Sequence, residues 1–246
     1  MNIGMIIFIV ILIILIIIII RSYIVNNNIL TKLSDAKILQ TISAGSLATN
    51  SNTGNSNYAY SIWFYINDWN YRYGDEKIIF AKKEKSQESE NGSKPQPCVS
   101  LGAMSNNIII ELTNYNSNYN SNSRNSQTKT STCTIQNIPI QQWVNFTMSV
   151  YGKTLDTYIN GKLVKTCILD GPVYVDNTKD LYVTPNGGFE GATTKLAYYP
   201  NSLNPEQAWN IYEDGYSGGI LSNLTGSYQL NISVLQNGKE EASLTI

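Results

Sequence analysis

A chain of 246 residues with a net charge of -1, 14% charged residues and no histidine rules out several functions at once. The missing histidine removes the commonest general base and the commonest metal ligand. The 17 lysines and arginines are scattered rather than gathered into the stripe that a nucleic-acid backbone needs.

In chain order, residues 1–20 form an apolar run interrupted by Asn2 and Gly4. As a helix, Ile3 to Ile20 spans about 27 Å, close to the ~30 Å hydrocarbon core of a bilayer. No lysine or arginine precedes the run and no small-residue cleavage site follows closely, so residues 1–21 read as an uncleaved single-pass anchor rather than a signal peptide. Arg21, Lys32 and Lys37 follow it, which favours the cytosolic side for the rest of the chain. Residues 22–57 read as a flexible tether, with room for a short helix around 30–40 and a low-complexity spacer, ATNSNTGNSN, before the first strand.

Strands are expected at 58–66, 77–83, 98–104, 107–112, 133–140, 180–184 and 192–199, with polar loops at 84–97 and 113–132. Between them lies a meander, residues 143–168. Asn160-Gly161 is a strong type I′ hairpin signal, and Gly152-Lys153 makes the preceding turn. A straight register sets Val150 opposite Leu155, Tyr158 opposite Leu163 and Asp156 opposite Lys165. One face then holds Val144, Phe146, Met148, Val150, Leu155, Ile159 and Val164; the other holds Trp143, Asn145, Thr147, Ser149, Tyr151, Asp156, Tyr158 and Lys165. One helix is well signalled near 204–213: Asn204 as N-cap, Pro205 at N1 and Gln207 at N3 complete a capping box. Residues 216–246 end in a hairpin about Asn237-Gly238, expected to pack on the domain. Strands without long intervening helices mean an all-β sandwich.

The segments YSIWFYINDW, WVNFTMSVYGKTLDTYINGKLVKT and GGFEGATTKLAYYPNSLNPEQAWNIY resemble the laminin-G-like branch of the concanavalin A-like lectin/glucanase superfamily. The likeness rests on Trp143, Tyr158–Lys162, Phe189–Gly191, Tyr198–Leu203 and Glu206–Tyr212, in order, and covers residues 58–215. It implies a jelly roll of two antiparallel sheets. It implies function weakly, because the fold hosts lectins, adhesion modules, glycosidases and inert domains. The N-terminal anchor on such a domain also resembles proteins of large DNA viruses of eukaryotes.

The candidate sites are few. The superfamily's glucanases carry E-x-D-x-(x)-E on one strand; no such run exists here, so no catalytic residues are assigned and an enzyme is not expected. The loop acids Asp68, Asp75, Asp176 and Asp180 are the only candidates for calcium, and turn formation is their plainer role. Trp143, Asn145, Tyr151, Asp156 and Tyr158 share the polar face of the meander and suit a glycan. The plainer expectation is that the C-terminal hairpin or another strand covers this face. Loops 67–73 and 114–120 offer a second recognition surface. Cys98, Cys133 and Cys167 allow one disulfide in any pairing, or none. Sequons occur at Asn91, Asn145, Asn223 and Asn231. The leading expectation is a membrane-anchored, non-enzymatic interaction module, of a virion membrane or capsid-facing kind, with the lipid bilayer and a protein as partners. The alternative is a glycan-binding attachment domain.

Overall fold

The computed structural model describes residues 28–47, 57–83, 96–117, 127–217, 231–236 and 239–245, together with positions 12, 13 and 16 of the apolar run. Its elements are β1 (Ser34–Asp35), β2 (Gln40–Ile42), α1 (Ala44–Leu47), β3 (Tyr58–Asp68), β4 (Lys77–Lys83), β5 (Cys98–Leu101), β6 (Ile108–Tyr115), β7 (Thr128–Ile135), β8 (Trp143–Tyr151), β9 (Thr154–Ile159), β10 (Lys162–Ile168), β11 (Asp180–Val183), β12 (Glu190–Tyr199), α2 (Pro205–Glu213), β13 (Asn231–Gln236) and β14 (Lys239–Thr245). Two six-stranded antiparallel sheets form a jelly-roll sandwich. One runs β1-β12-β3-β8-β9-β10 (sheet A), the other β2-β11-β4-β5-β6-β7 (sheet B). β13 and β14 form a two-stranded sheet of their own.

The core follows from alternation. Tyr60, Ile62, Phe64 and Ile66 of β3 and Val144, Phe146, Met148 and Val150 of β8 meet Phe80, Val99, Leu101, Ile108, Ile110, Leu181 and Val183 of sheet B, all buried. The meander's turns form as their residues demand. Asn160 and Gly161 both have positive φ, 50° and 72°, and Gly152 has φ 58°. The capping box of α2 is complete: Asn204 Oδ1 accepts from Gln207 N at 2.8 Å, and Gln207 Oε1 accepts from Asn204 N at 2.9 Å.

Three expectations need correction. Residues 28–47, read as tether with a short helix around 30–40, are part of the sandwich. Ser34 and Asp35 pair with Thr193 and Ala192, residues 40–42 pair with β11, and Ala36 is wholly buried. Strands of two and three residues are too short to show a period in the sequence. Second, the polar stretch 113–132 is not all loop. β6 continues to Tyr115, and β7 starts at Thr128 and ends at Ile135 rather than running over 133–140. Threonine favours strands through its branched Cβ, and an edge strand needs little apolar alternation.

The third correction is the register of β10. Leu163 faces Tyr158 as expected, but a bulge follows: Lys165 faces Thr157, Thr166 faces Asp156 and Cys167 faces Leu155. Asp156 therefore does not pair with Lys165. Its Oδ1 accepts from Thr166 Oγ1 at 2.6 Å, and Lys165 Nζ donates to Thr134 O at 2.9 Å. Val164 leaves the core and is 46% exposed. The slip of one residue turns Cys167 to the same face as Leu155. Cys133, opposite Ile110, faces inward from sheet B. The bulge thus makes an inter-sheet bridge geometrically available, and Cys133 and Cys167 form it with Cα atoms 6.2 Å apart. Cys98 is buried on β5, outside this bridge.

The anchor expected over 1–21 lies outside the described residues apart from the isolated helical positions 12, 13 and 16. Among the described residues no helix is long and apolar enough to cross a membrane. The spacer at 48–56 also lies outside them, as do the side chains of the C-terminal hairpin.

Candidate functional site

Two surfaces stand out, both next to the meander. The first is the outer face of sheet A. α2 lies across it and is held at three places. Leu203 N donates to Ser149 Oγ at 2.8 Å, and Ser149 Oγ donates to Leu203 O at 3.0 Å. At Gly161 a Cβ would sit 3.0 Å from Trp209 Cα and 3.0 Å from Tyr212 Cβ, so the turn needs glycine for contact as well as for φ. Beyond the helix, Lys195 Nζ donates to Gly215 O at 2.5 Å and to Asp214 O at 3.3 Å, a cation on helix-end carbonyls. Burial holds the Lys195 pKa below its ordinary value, against the raising effect of Asp214.

Under the helix lies a satisfied polar row. Asn145 Nδ2 donates to Ser61 Oγ at 3.1 Å, Thr147 Oγ1 to Ser61 Oγ at 2.9 Å, and Asn160 Oδ1 accepts from Asn145 N at 2.9 Å. Beside the helix the rings form a ladder. Trp63 stacks on Tyr212 at 5.6 Å, Trp143 stacks on Tyr216 at 4.7 Å and 11°, and Tyr65 meets Trp143 at 5.8 Å. Tyr216 and Trp209 are about two-fifths exposed, 43% and 38%.

The five expected glycan residues are dispersed by this arrangement. Trp143 joins the ladder. Asn145 and Tyr158 are buried, and burial followed by the charge of Asp156 raises the Tyr158 phenol pKa. Asp156 binds the Thr166 hydroxyl. Tyr151 is exposed at the far end of β8. Among the described residues the face is covered by α2 and the chain just after it, where the plainer expectation had the C-terminal hairpin or another strand. The other rings of the ladder (Tyr65 and Tyr216, which touch Trp143, and Trp63 and Tyr212 beside them) were missed because they come from β3, from α2 and from the chain after it. Only the alternation of YAYSIWFYI, which puts Trp63 and Tyr65 on one face, signalled part of the set. Asn145 is no glycosylation acceptor in the folded domain, being buried and hydrogen-bonded; Asn91 and Asn223 lie outside the described residues.

The second surface is the β10 edge. It ends sheet A and exposes Leu163 by 51%, Val164 by 46% and Ile168 by 76%. Beside it a groove of about 520 Å³ opens between the sheets, lined by residues 134–139, which include the polar Thr134, Gln136 and Asn137, and by Ile159, Val164 and Lys165. The Cys133–Cys167 bridge ties the two strands that flank it.

The four candidate calcium acids are each engaged by protein donors. Asp68 Oδ1 accepts from Asn70 N, Asp75 meets Arg72 Nε at 3.4 Å, and Asp180 Oδ1 accepts from Ala44 N. Asp176 accepts from Thr178 N and Oγ1 and faces Lys179 at 3.6 Å. Burial raises the Asp176 pKa, but the Thr178 bonds and Lys179 outweigh it and hold the carboxyl below its ordinary value. Among the described residues no three carboxylate or thiol side chains gather as a metal site. Loop 67–73 packs back on the fold: Tyr71 Oη donates to Gly187 O at 3.2 Å and Arg72 Nη1 donates to Asn186 O, leaving Tyr73 60% exposed. In loop 114–120, residues 114 and 115 close β6 and 118–120 lie outside the described residues.

A sequence-family model, Laminin_G_3, described as the concanavalin A-like lectin/glucanases superfamily, matches residues 40–209. Similar solved structures include the botulinum neurotoxin type G receptor binding domain (15% identity, 74% of this chain and 46% of that one, TM-score 0.45). Others are the botulinum neurotoxin serotype D ligand binding domain in complex with N-acetylneuraminic acid (14%, 75% and 46%, 0.49) and the botulinum neurotoxin DC binding domain in complex with rat synaptotagmin II (13%, 73% and 40%, 0.48). The chain spans less than half the length of each. No curated protein sequence matches it significantly.

Proposed function

The chain belongs to the concanavalin A-like lectin/glucanases superfamily, and from that premise we propose that it is a non-catalytic binding module, displayed from a membrane by its N-terminal apolar run and docking a protein partner through the sandwich. The observation that carries the docking reading is the β10 edge, where Leu163, Val164 and Ile168 stand open beside a groove with both apolar and polar lining. The engagement of Asp68, Asp75, Asp156, Asp176 and Asp180 in turns and hydrogen bonds supports a non-catalytic role.

A photo-crosslinking residue at Ile168, in the full-length protein in its own membrane, tests docking against the same probe at Tyr73. A partner captured at 168, not at 73, and lost with Leu163→Lys is the expected result. Equal capture at both positions overturns the reading.

Two features bear on the membrane side, and they pull apart. Arg21, Lys32 and Lys37 favour the cytosolic side, which in the virion setting suggested by the resemblance is the capsid-facing side of an internal membrane. A Cys133–Cys167 bridge favours an oxidising compartment. Protease protection with thiol labelling before and after reduction separates them.

A second reading, glycan binding, is favoured by the ladder of Trp143 and Tyr65, both partly exposed, with the more exposed Tyr216. A glycan array with the full chain in detergent tests it, and absence of any binding sinks it.

A further inference from the structure

We propose that β10 is a strand-addition edge. An extended segment of a partner protein, with acidic residues alternating with apolar ones, pairs with Lys162–Ile168, its acidic side chains meeting Lys162 and Lys165 on the groove side and its apolar ones meeting Leu163 and Ile168 on the outer side. This rests on the docking reading and names its mode and the chemistry of the partner.

Four observations specify that occupant. Among the described residues β10 is the last strand of sheet A and pairs only with β9. A terminal strand offers outward N–H and C=O groups in a row, and their complement is an extended backbone, not a helix or a sugar. Second, natural edges of this length are blunted by cover, charge or bulges. β10 is seven residues long; it carries two of these devices, the charges of Lys162 and Lys165 and a bulge at Val164, but Lys165–Ile168 keep regular register with β9. Third, the apolar side chains are set for alternate contact. Leu163 and Ile168 stand opposite Tyr158 and Thr154 on the outer face, while Val164 lines the groove with Ile135, Ile138, Pro139 and Ile159. The bridge from Cys133 to Cys167 holds the two lips of that groove together.

The fourth observation is charge. β10 carries Lys162 and Lys165 and no acid, and Lys153, whose carbonyl accepts from Leu169 N at 2.8 Å, sits at the far end of the strand. The neighbouring acids are engaged: Asp156 by the Thr166 hydroxyl and Asp170 by Lys129. A second copy of β10 would bring two more lysines to the same edge, whereas an acidic strand complements it. The C-terminal hairpin carries Glu240 and Glu241, but it forms a sheet separate from sheet A.

The test uses the full-length protein in detergent micelles and a panel of fluorescent ten-residue peptides alternating glutamate with Val, Ile, Leu or Phe, read by anisotropy. Each has a partner peptide N-methylated at every second amide. The expected result is binding by at least one unmodified peptide and none by its N-methylated form. Lys162→Glu should weaken binding by about tenfold, and the position is exposed enough to leave the fold intact. Equal binding of both peptide forms overturns strand addition while leaving protein docking standing, because the backbone would then play no part. No binding by any peptide, together with no partner captured at Ile168, overturns both. Peptide binding that appears only after removal of residues 228–246 assigns the edge to the chain's own hairpin and overturns the partner. Self-association lost with Ile168→Lys does the same in favour of a second copy.

Discussion

On the side where the chain enters the fold, the sheets end in β1 and β2, two and three residues long. On the opposite side they end in β7 and β10, eight and seven residues long. The first side is sealed by fit. Gly188 lies so close to Ala36 that an added Cβ would stand 2.0 Å from its carbonyl oxygen, and Thr184, in left-handed backbone at φ 50°, donates from Oγ1 to Ile38 O at 2.8 Å. The second side is held by one covalent bridge and the Lys165–Thr134 hydrogen bond, and among the described residues it leaves β10 open. A strand edge can be silenced by shortening and covering it, or it can be kept long for use. This sandwich does the first on one side and not on the other, and the difference is what marks β10 as an interaction surface.

The contrast can be broken most severely at the sealed side. Gly188→Val should cost about 3–5 kcal/mol, through strain at positive φ and collision with Ala36. Urea unfolding measures it, and a loss below about 1 kcal/mol would show that this side is loosely fitted. On the other side, Cys133→Ser with Cys167→Ser opens a loop of sequence separation 34 and should cost about 2–4 kcal/mol. An unchanged unfolding midpoint would mean that the groove's lips are held by packing and by the Lys165–Thr134 hydrogen bond.

Alkaline pH acts on the core between the two sides. Burial raises the phenol pKa of Tyr58 and Tyr60, and that of Tyr199 to about 12. The unfolded chain loses these protons first, near pH 10, so stability that is fully present below pH 10 falls as pH rises toward about 12. A tenfold difference in proton affinity between the folded and unfolded chain corresponds to about 1.4 kcal/mol. The ultraviolet absorbance of tyrosinate should therefore rise together with unfolding; ionisation of all tyrosines before unfolding would refute it. The smallest effect is expected at Ile168→Lys, within about 0.5 kcal/mol because the side chain is 76% exposed. The same change at Ile42, which is 9% exposed on β2, should cost several-fold more. Similar costs at the two positions would erase the difference between the edges.

Much of the sandwich was legible because its signals are local. Alternation in β3 and β8, Asn160-Gly161 and the Asn204–Gln207 box each concern residues within a few positions of one another. The candidate surfaces were less so. Trp143 was found, but its stacking partner Tyr216 follows the helix, and nothing in the spacing ties the two. Asn145 and Tyr158 read as surface residues because alternation tells which face a side chain takes, not whether a helix lies over that face.

What the sequence alone determined is the class of fold, the paired turns, the capped helix and the likeness to one superfamily, all resting on periods, caps and motifs that act over short distances. The tertiary structure decided the rest: that residues 28–47 join both sheets, that a one-residue bulge in β10 turns Cys167 inward to Cys133, and that α2 covers one face while β10 stays open. These depend on which strand ends up beside which. A shift of one residue in a strand reverses every side chain beyond it, and no local pattern records that shift.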